Sequence, residues 1–387
     1  MNERDDVLVR AASPVELAAD EGADALEPGI GLCLSGGGYR AMVFHLGALW
    51  RLNELGFLPR LSRVSSVSGG SITAGVLGMN WDKLSFDDRG VSPTFEREVV
   101  APLRRLAGKT VDRGSIVRGL LGRGSVGNRV AAAYRKHLFG LATLQDLPDE
   151  PRFVINATNL QSGALWRFSK PFMRDYRVGE VRNPRVELAV AVAASSAFPP
   201  FLSPVVLELP DSAYSPRTDE PLHRPPFTTK VTLSDGGVYD NLGLETVWKR
   251  YETVLVSDGG GRMGGQPEPN RDWARQAYRV LGVIDTQVRN LRKRQVIDSY
   301  KAGVRKGVYW GIRTQASHYG VPMRLDCPHN KTFQLAGVET RLAEMDGTTQ
   351  ERLINWGYAV CDAGMRAHVD DEIEPADAFP YPGAGVG

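Results

Sequence analysis

Three short stretches of this sequence bring together residue types that do chemistry. Gly36-Gly37-Gly38 follows the apolar run Gly31–Leu34, Ser68 lies in Ser65-Ser66-Val67-Ser68-Gly69-Gly70-Ser71, and Asp235 precedes Gly236-Gly237. A serine becomes a nucleophile when a neighbouring group takes its proton. Consecutive glycines let bare N–H groups approach a small anion closely. The chemistry these residues suit is attack of the Ser68 hydroxyl on an ester carbonyl, with the glycine loop as oxyanion hole and Asp235 as base.

A glycine loop more often suggests phosphate. Gly36-x-Gly38-x-x-Ala41 fits the loose dinucleotide fingerprint, after a strand and before a helix. A dinucleotide site also wants an acid at the end of the next strand, for the ribose. That strand ends in Val67-Ser68-Gly69-Gly70, and Glu54, at a plausible count, lies within the helix. No Lys-Ser or Lys-Thr closes the loop, so a Walker-type site fails sooner. A dinucleotide-binding oxidoreductase is the runner-up, and a ligand-free β–α turn is the bland reading.

Ser66-x-Ser68-x-Gly70 is a nucleophile elbow, G-x-S-x-G, with its first glycine replaced by serine. The elbow lifts its serine on a sharp, strained turn and needs small neighbours. The structural alternative is a serine that merely caps a helix. Gly38 and Ser68 are separated by about the length of one βαβ unit, so both loops are predicted at one sheet edge. The helix starting near Tyr39 adds its positive end. Asp235, directly after a strand, is predicted at the same rim. Asp258, in Val256-Ser257-Asp258-Gly259-Gly260, competes with it as base. His45 falls within the first helix and is expected to be packed. His137, His223, His318, His329 and His368 are scattered and read as structural or solvated.

The elements that must position these residues alternate. Residues 30–35 read as a buried strand, Tyr39–Leu55 as a helix ended by Gly56, and 62–67 as a strand followed by a small-residue helix. Between 81 and 150 the pattern weakens into arginine-rich short helices. Residues 152–160 and 164–169 read as a hairpin, and 186–198 as a buried helix stopped by Pro199 and Pro200. Strands are predicted to start near 205, 230 and 253, with helical stretches at about 270–305 and 338–368. The fold class is α/β, a mostly parallel central sheet with helices on both faces. Residues 1–27 read as an irregular arm, 28–370 as one catalytic domain, and 371–387 as an irregular, frayed tail.

In this order, Gly36-Gly37-Gly38-Tyr39-Arg40, Ser66-x-Ser68-x-Gly70 and Asp235-Gly236-Gly237 resemble the patatin-like phospholipase family. Ala193–Val205 (AASSAFPPFLSPV) is similar to the segment that family carries between serine and aspartate. The resemblance covers roughly residues 28–245, and more loosely reaches about 315. It implies a three-layer sandwich and hydrolysis of acyl esters of lipids. It also implies a Ser–Asp dyad, Ser68 as nucleophile and Asp235 as base, with no cofactor and no metal. Arg40 matches the arginine that follows the family's glycines, and Ser66 departs from the pattern. A catalytically silent binding protein of the same fold is a further alternative. A free carboxylate, with a pKa near 4, is a weak base for a hydroxyl, and burial is expected to raise it.

Composition bounds the partners. The chain of 387 residues has a net charge of +2 and three scattered cysteines, Cys33, Cys327 and Cys361. That is neither a disulfide framework nor a zinc pattern, and it suits a reducing, cytoplasmic setting. The first ten residues lack the apolar core of a signal peptide, and no run of about 18 apolar residues occurs. Residues 96–136 carry ten Lys or Arg against three acids, interleaved with Leu103, Leu106, Ile116, Leu120 and Leu121. This reads as peripheral contact with an anionic lipid surface or as a solvated helical face. The run 289–295 reads as the outer face of a long helix. No aromatic stacking pattern accompanies these charges, so nucleic acid is a poor candidate.

Overall fold

The computed structural model describes residues 26–111, 126–215, 222–261 and 263–387. Ten strands form one sheet: β1 (Glu27–Leu34), β2 (Leu61–Val67), β3 (Arg152–Asn159), β4 (Ala164–Phe168), β5 (Phe172–Asp175), β6 (Gly179–Arg182), β7 (Val205–Glu208), β8 (Lys230–Asp235), β9 (Tyr251–Asp258) and β10 (Lys306–Gly311). Among the described residues the helices are α1 (Gly38–Glu54), α2 (Gly69–Met79), α3 (Ala101–Ala107), α4 (Val126–Tyr134), α5 (Leu188–Ser195), α6 (Gly237–Asp240), α7 (Glu245–Trp248), α8 (Trp273–Lys301), α9 (His329–Leu335) and α10 (Gly347–His368).

The main strand path is β10-β9-β1-β2-β3-β4-β5-β6. The first five strands are mutually parallel and β3 to β6 are antiparallel. Side chains alternate between two cores, as the period of a strand requires. Leu32 and Leu34 enter the large core with α1, α2, α5 and α10. Cys33 enters a smaller core with Leu244 and Val247 of α7 and Val296 of α8. Helices therefore cover both faces of a mostly parallel sheet, the expected fold class.

The elements around the glycine loop and Ser68 form where the sequence places them. β5, β6 and β10 were not expected: β5 and β6 are only four residues long and carry at least as many charged as apolar side chains. The last helix starts at Gly347 and not near 338, because Asp346 caps it by accepting the Thr349 N–H at 2.9 Å. The tail is irregular but fastened. Asn355 donates to the carbonyls of Tyr381 and Gly385 at 2.8 and 2.7 Å and accepts the Tyr381 N–H at 3.0 Å. Val386 and Ala376 are buried.

α1 carries the glycine loop at its N-terminus, and α10 holds α1 in place. A Cβ on Gly47 would overlap the Ile354 carbonyl, and one on Gly357 would overlap the Phe44 carbonyl. The two backbones touch at reciprocal glycines. Asp362 of α10 also accepts from Arg51 of α1 at 2.9 Å. Gly357→Val therefore has no room, and overpacking of this kind costs about 1–3 kcal/mol. Chemical denaturation is expected to show that loss, with a smaller one for Gly357→Ala.

Candidate active site

Along one edge of β3, two strands run head-on. β2 pairs with β3 in parallel as far as Val67↔Asn156. β8 pairs with β3 antiparallel from Ala157↔Asp235 to Asn159↔Leu233. β4 occupies the opposite edge over Ile155–Asn159, so β8 continues the line of β2 from the other direction. Their C-terminal ends meet at neighbouring residues of β3, and Ser68 and Asp235 stand at the junction. The expected meeting of these residues is found, but Asp235 reaches the rim from an antiparallel strand.

Ser68 is the link between β2 and α2, with φ 52° and ψ −119°. A non-glycine residue there is strained, and such strain collects at functional sites. Its neighbours must be small. A Cβ on Gly69 would overlap the Gly38 carbonyl, and one on Gly70 the Leu34 carbonyl. The turn is held by Ser66 together with two hydroxyls that the sequence reading did not single out, Ser195 and Ser71. Ser195 of α5 accepts the Ser68 N–H at 2.9 Å. Ser71 bonds Ser195 at 2.9 Å and donates to Ser66 at 3.0 Å. Ser66 donates to the Val154 carbonyl at 3.3 Å. The serine at the glycine position of the elbow thus anchors a chain of hydroxyls beneath the turn. The available signal was Ser195 itself, a hydroxyl ending the otherwise apolar run Leu188–Ala194.

The glycine loop lies against this turn. A Cβ on Gly36 would stand 3.2 Å from Cβ of Ser68. Gly37 and Gly38 take φ of +142° and +59°, which favours glycine. The N–H of Gly36 is used by the Asn241 carbonyl, and that of Tyr39 by the Arg341 carbonyl, both at 3.0 Å. Among the described residues, the N–H groups of Gly37 and Gly38 have no acceptor. They are free donors at the positive end of α1. The Thr340–Arg341 backbone covers Gly38 so closely that a Cβ would stand 2.8 Å from it. Only glycine fits at that position.

Arg40 does not spend its donors on the loop's anion site. It donates to the Gly259 carbonyl at 3.2 and 3.1 Å, and to those of Ala336 and Val338 at 3.1 and 2.7 Å. Burial lowers its pKa to about 10. It ties α1 to the 259–261 loop and the 336–338 segment.

The two competing aspartates have opposite surroundings. Asp235 is buried, and burial pushes its pKa up to about 7, against the N–H of Gly237 at 2.7 Å and the adjacent Ser68 hydroxyl. Asp285 of α8 adds a smaller upward push. Its backbone is fixed by the Ala197 carbonyl and the Thr158 hydroxyl. Gly236 and Gly237 are needed because Cβ atoms there would collide with the Asn156 carbonyl and with Asn241. Asp258 is also buried, which raises its pKa, but Lys293 at 2.5 Å and Arg289 at 3.9 Å hold it far below the carboxylate range. Tyr309 and the Gly260 N–H also donate to it. Asp258 is a permanently charged anchor for α8. His45 is packed as expected, between Ser257 at 2.7 Å and the Ser35 carbonyl at 2.9 Å. Burial lowers its pKa to about 4, so it is neutral.

For 96–136 the described residues fit the solvated helical face, whereas the run 289–295 differs from expectation. Leu103 and Leu106 lie in the core, Arg104 pairs with Glu351 at 2.7 Å, and Arg135 pairs with Glu187 at 2.6 Å. Ile116, Leu120 and Leu121 lie outside the described residues. The described part of 96–136 thus presents no apolar face to a lipid surface. In 289–295, Arg289 and Lys293 face Asp258 and Arg292 pairs with Glu245 at 2.9 Å, so half of the supposed outer face points inward. No described helix is long and apolar enough to cross a membrane.

A family model described as Patatin-like phospholipase matches residues 32–248. Among solved structures, the chain is similar to human GIVD cytosolic phospholipase A2 in complex with methyl gamma-linolenyl fluorophosphonate. Identity is 16%, coverage is 89% of this chain and 59% of that one, and the TM-score is 0.49. A second structure of human GIVD cytosolic phospholipase A2 gives 16% identity, coverage of 69% of this chain and 50% of that one, and a TM-score of 0.38. VipD from Legionella pneumophila gives 16% identity, coverage of 94% and 70%, and a TM-score of 0.34. The chain spans between 50% and 59% of the length of these human phospholipase chains. None of the curated proteins compared matches it.

Removing the Ser195 hydroxyl leaves the buried Ser68 N–H without its acceptor. Ser195→Ala is expected to cost about 1–3 kcal/mol in chemical denaturation. Ser195→Thr, which keeps the oxygen, is expected to cost less.

Proposed function

The chain belongs to the patatin-like phospholipase family, and on that premise we propose that it is a lipid acyl hydrolase working through Ser68 and Asp235. The observation that carries this reading is the head-on meeting of β2 and β8, with a strained serine against a carboxyl whose pKa is about 7.

In the proposed mechanism Asp235, ionised, takes the proton of the Ser68 hydroxyl as that oxygen attacks the ester carbonyl. The negative charge moves to the carbonyl oxygen and is held by the N–H groups of Gly37 and Gly38 at the start of α1. Collapse expels the alcohol, which takes the proton from Asp235, and leaves Ser68 acylated. Water then gives a proton to Asp235 and attacks the acyl carbon; collapse breaks the bond to Ser68, whose oxygen takes the proton back from Asp235 as the fatty acid leaves. A carboxyl near pH 7 suits both halves, since it is basic enough to accept the proton and acidic enough to return it. Arg40 and Ser195 act by position, one on the glycine loop's neighbours and the other on the elbow. Three free cysteines fit a reducing compartment, and the lipid substrate requires contact with a membrane or micelle surface.

The test is release of p-nitrophenol from a medium-chain ester. Ser68→Ala and Asp235→Asn are each expected to lower kcat by roughly 10³-fold or more. Asp258→Asn is expected to keep turnover per folded molecule and to lose stability, because Lys293 and Arg289 lose their counter-charge. Full turnover in Asp235→Asn would overturn the assignment of the base. Wild-type kcat/KM is expected to fall about tenfold for each pH unit below about 7, as Asp235 protonates.

The same carboxyl sets a stability signature. Its folded pKa lies above the unfolded one, so the folded state holds the proton more tightly. That stability is complete below pH about 4 and is lost as pH rises to about 7, on the order of 4 kcal/mol. Melting temperatures are therefore expected to favour Asp235→Asn over wild type more strongly at pH 8 than at pH 5.

A further inference from the structure

The N-terminal half of α8 is exposed in an unusual way. Arg289, Val296 and Ser299, its buried residues, all lie in the C-terminal half. Trp273 is 82% exposed, and Val280, Ile284 and Leu291 are each 50–54% exposed. With Ala277, these residues recur at spacings of four, three, four and seven, so they form one stripe along the helix. Exposed apolar groups of this extent mark a surface that is covered in use.

A second group of exposed apolar residues lies on the side of α8 that meets the rest of the fold, about 140° round the helix from Trp273. Tyr278 packs edge-on against Phe201, with ring centroids 6.2 Å apart. Phe201 and Phe198 follow Ala197, whose carbonyl fixes the N–H of Asp235, and both are exposed. Val238, three residues after Asp235, is exposed as well. Asp285 of the same helix is close enough to raise the pKa of Asp235. Exposed apolar side chains thus come from the segments on either side of the catalytic carboxyl and from the helix beside it. Charge fits an anionic surface too: within 271–294 Arg289, Arg292 and Lys293 are turned inward to Asp258 and Glu245, while Arg271, Arg275 and Arg294 are exposed beside one exposed acid, Asp272.

We propose that this stripe of α8 is the surface by which the chain docks on an anionic lipid bilayer. The inference rests on the lipid hydrolase reading and names the face that meets the substrate's membrane. Trp273 and the aliphatic stripe enter the headgroup boundary, while Arg275 and Arg294 remain at the phosphate level. A second copy is disfavoured as occupant, because it would set the same exposed arginines against one another. An anionic bilayer pairs with them.

The experiment is sedimentation with phosphatidylcholine vesicles, with and without phosphatidylserine, for wild type and the double variant Val280→Glu/Ile284→Glu. Both positions are half exposed, so the variant is expected to fold, which its melting curve checks. Wild type is expected to bind the anionic vesicles. The variant is expected to bind at least tenfold more weakly and to cleave vesicle-borne ester at least tenfold more slowly. On a soluble short-chain ester it is expected to match wild type. Unchanged vesicle binding by the variant, or none by wild type, overturns the proposal. So does a wild-type dimer in solution that the variant dissociates. Failure of the hydrolase reading shows separately, as soluble-ester turnover that survives Ser68→Ala, since sedimentation does not depend on turnover.

Discussion

Everything at the candidate site depends on one edge of one strand. β3 offers a single line of backbone partners, and β2 and β8 share it from opposite ends. Neither can advance without displacing the other, so their termini are fixed within one residue. A hydroxyl and a carboxyl attached to those termini are brought together by sheet hydrogen bonds, not by flexible side chains. This is the preorganisation that catalysis by a two-residue pair needs. It also takes Asp235 out of water, and the raised pKa is the electrostatic consequence of that backbone geometry.

The buried carboxyl and the strained serine both oppose stability, and their surroundings offset the cost. Ser68 sits at a φ that serine avoids, and Ser195 and Ser71 hold it there from below. Asp235 keeps its proton up to about pH 7 because only the Gly237 N–H and a hydroxyl favour its charge. Asp258 has two cations and a phenol around it and belongs to the scaffold. Two Asp-Gly-Gly sequences at strand ends therefore differ by their partners alone.

That difference explains what the sequence could and could not tell. The β1–α1–β2–α2 unit was legible because glycine punctuation and helical spacing are local, and its parallel pairing follows from chain length between strands. Ser68 and the glycine loop came with it. The position of Asp235 was legible, but the direction of its strand was not, since pairing with β3 is a long-range choice made by tertiary packing. β5 and β6 escaped notice because four-residue strands with charged faces carry no period. Ser195 was invisible as a partner of Ser68, for 127 residues separate donor from acceptor. The pairing of Arg104 and Arg135 was not legible because their partners, Glu351 and Glu187, are remote in sequence.

The contact of Thr340 and Arg341 with Gly38 has a bearing on the order of synthesis. A ribosome makes the glycine loop early and the segment that covers it about three hundred residues later. α10, which locks α1 through Gly47 and Gly357, emerges later still. Both lie beyond residue 248, where the family match ends. A growing chain that already contains Ser68 and Asp235 therefore lacks the clamp that sets its glycine loop.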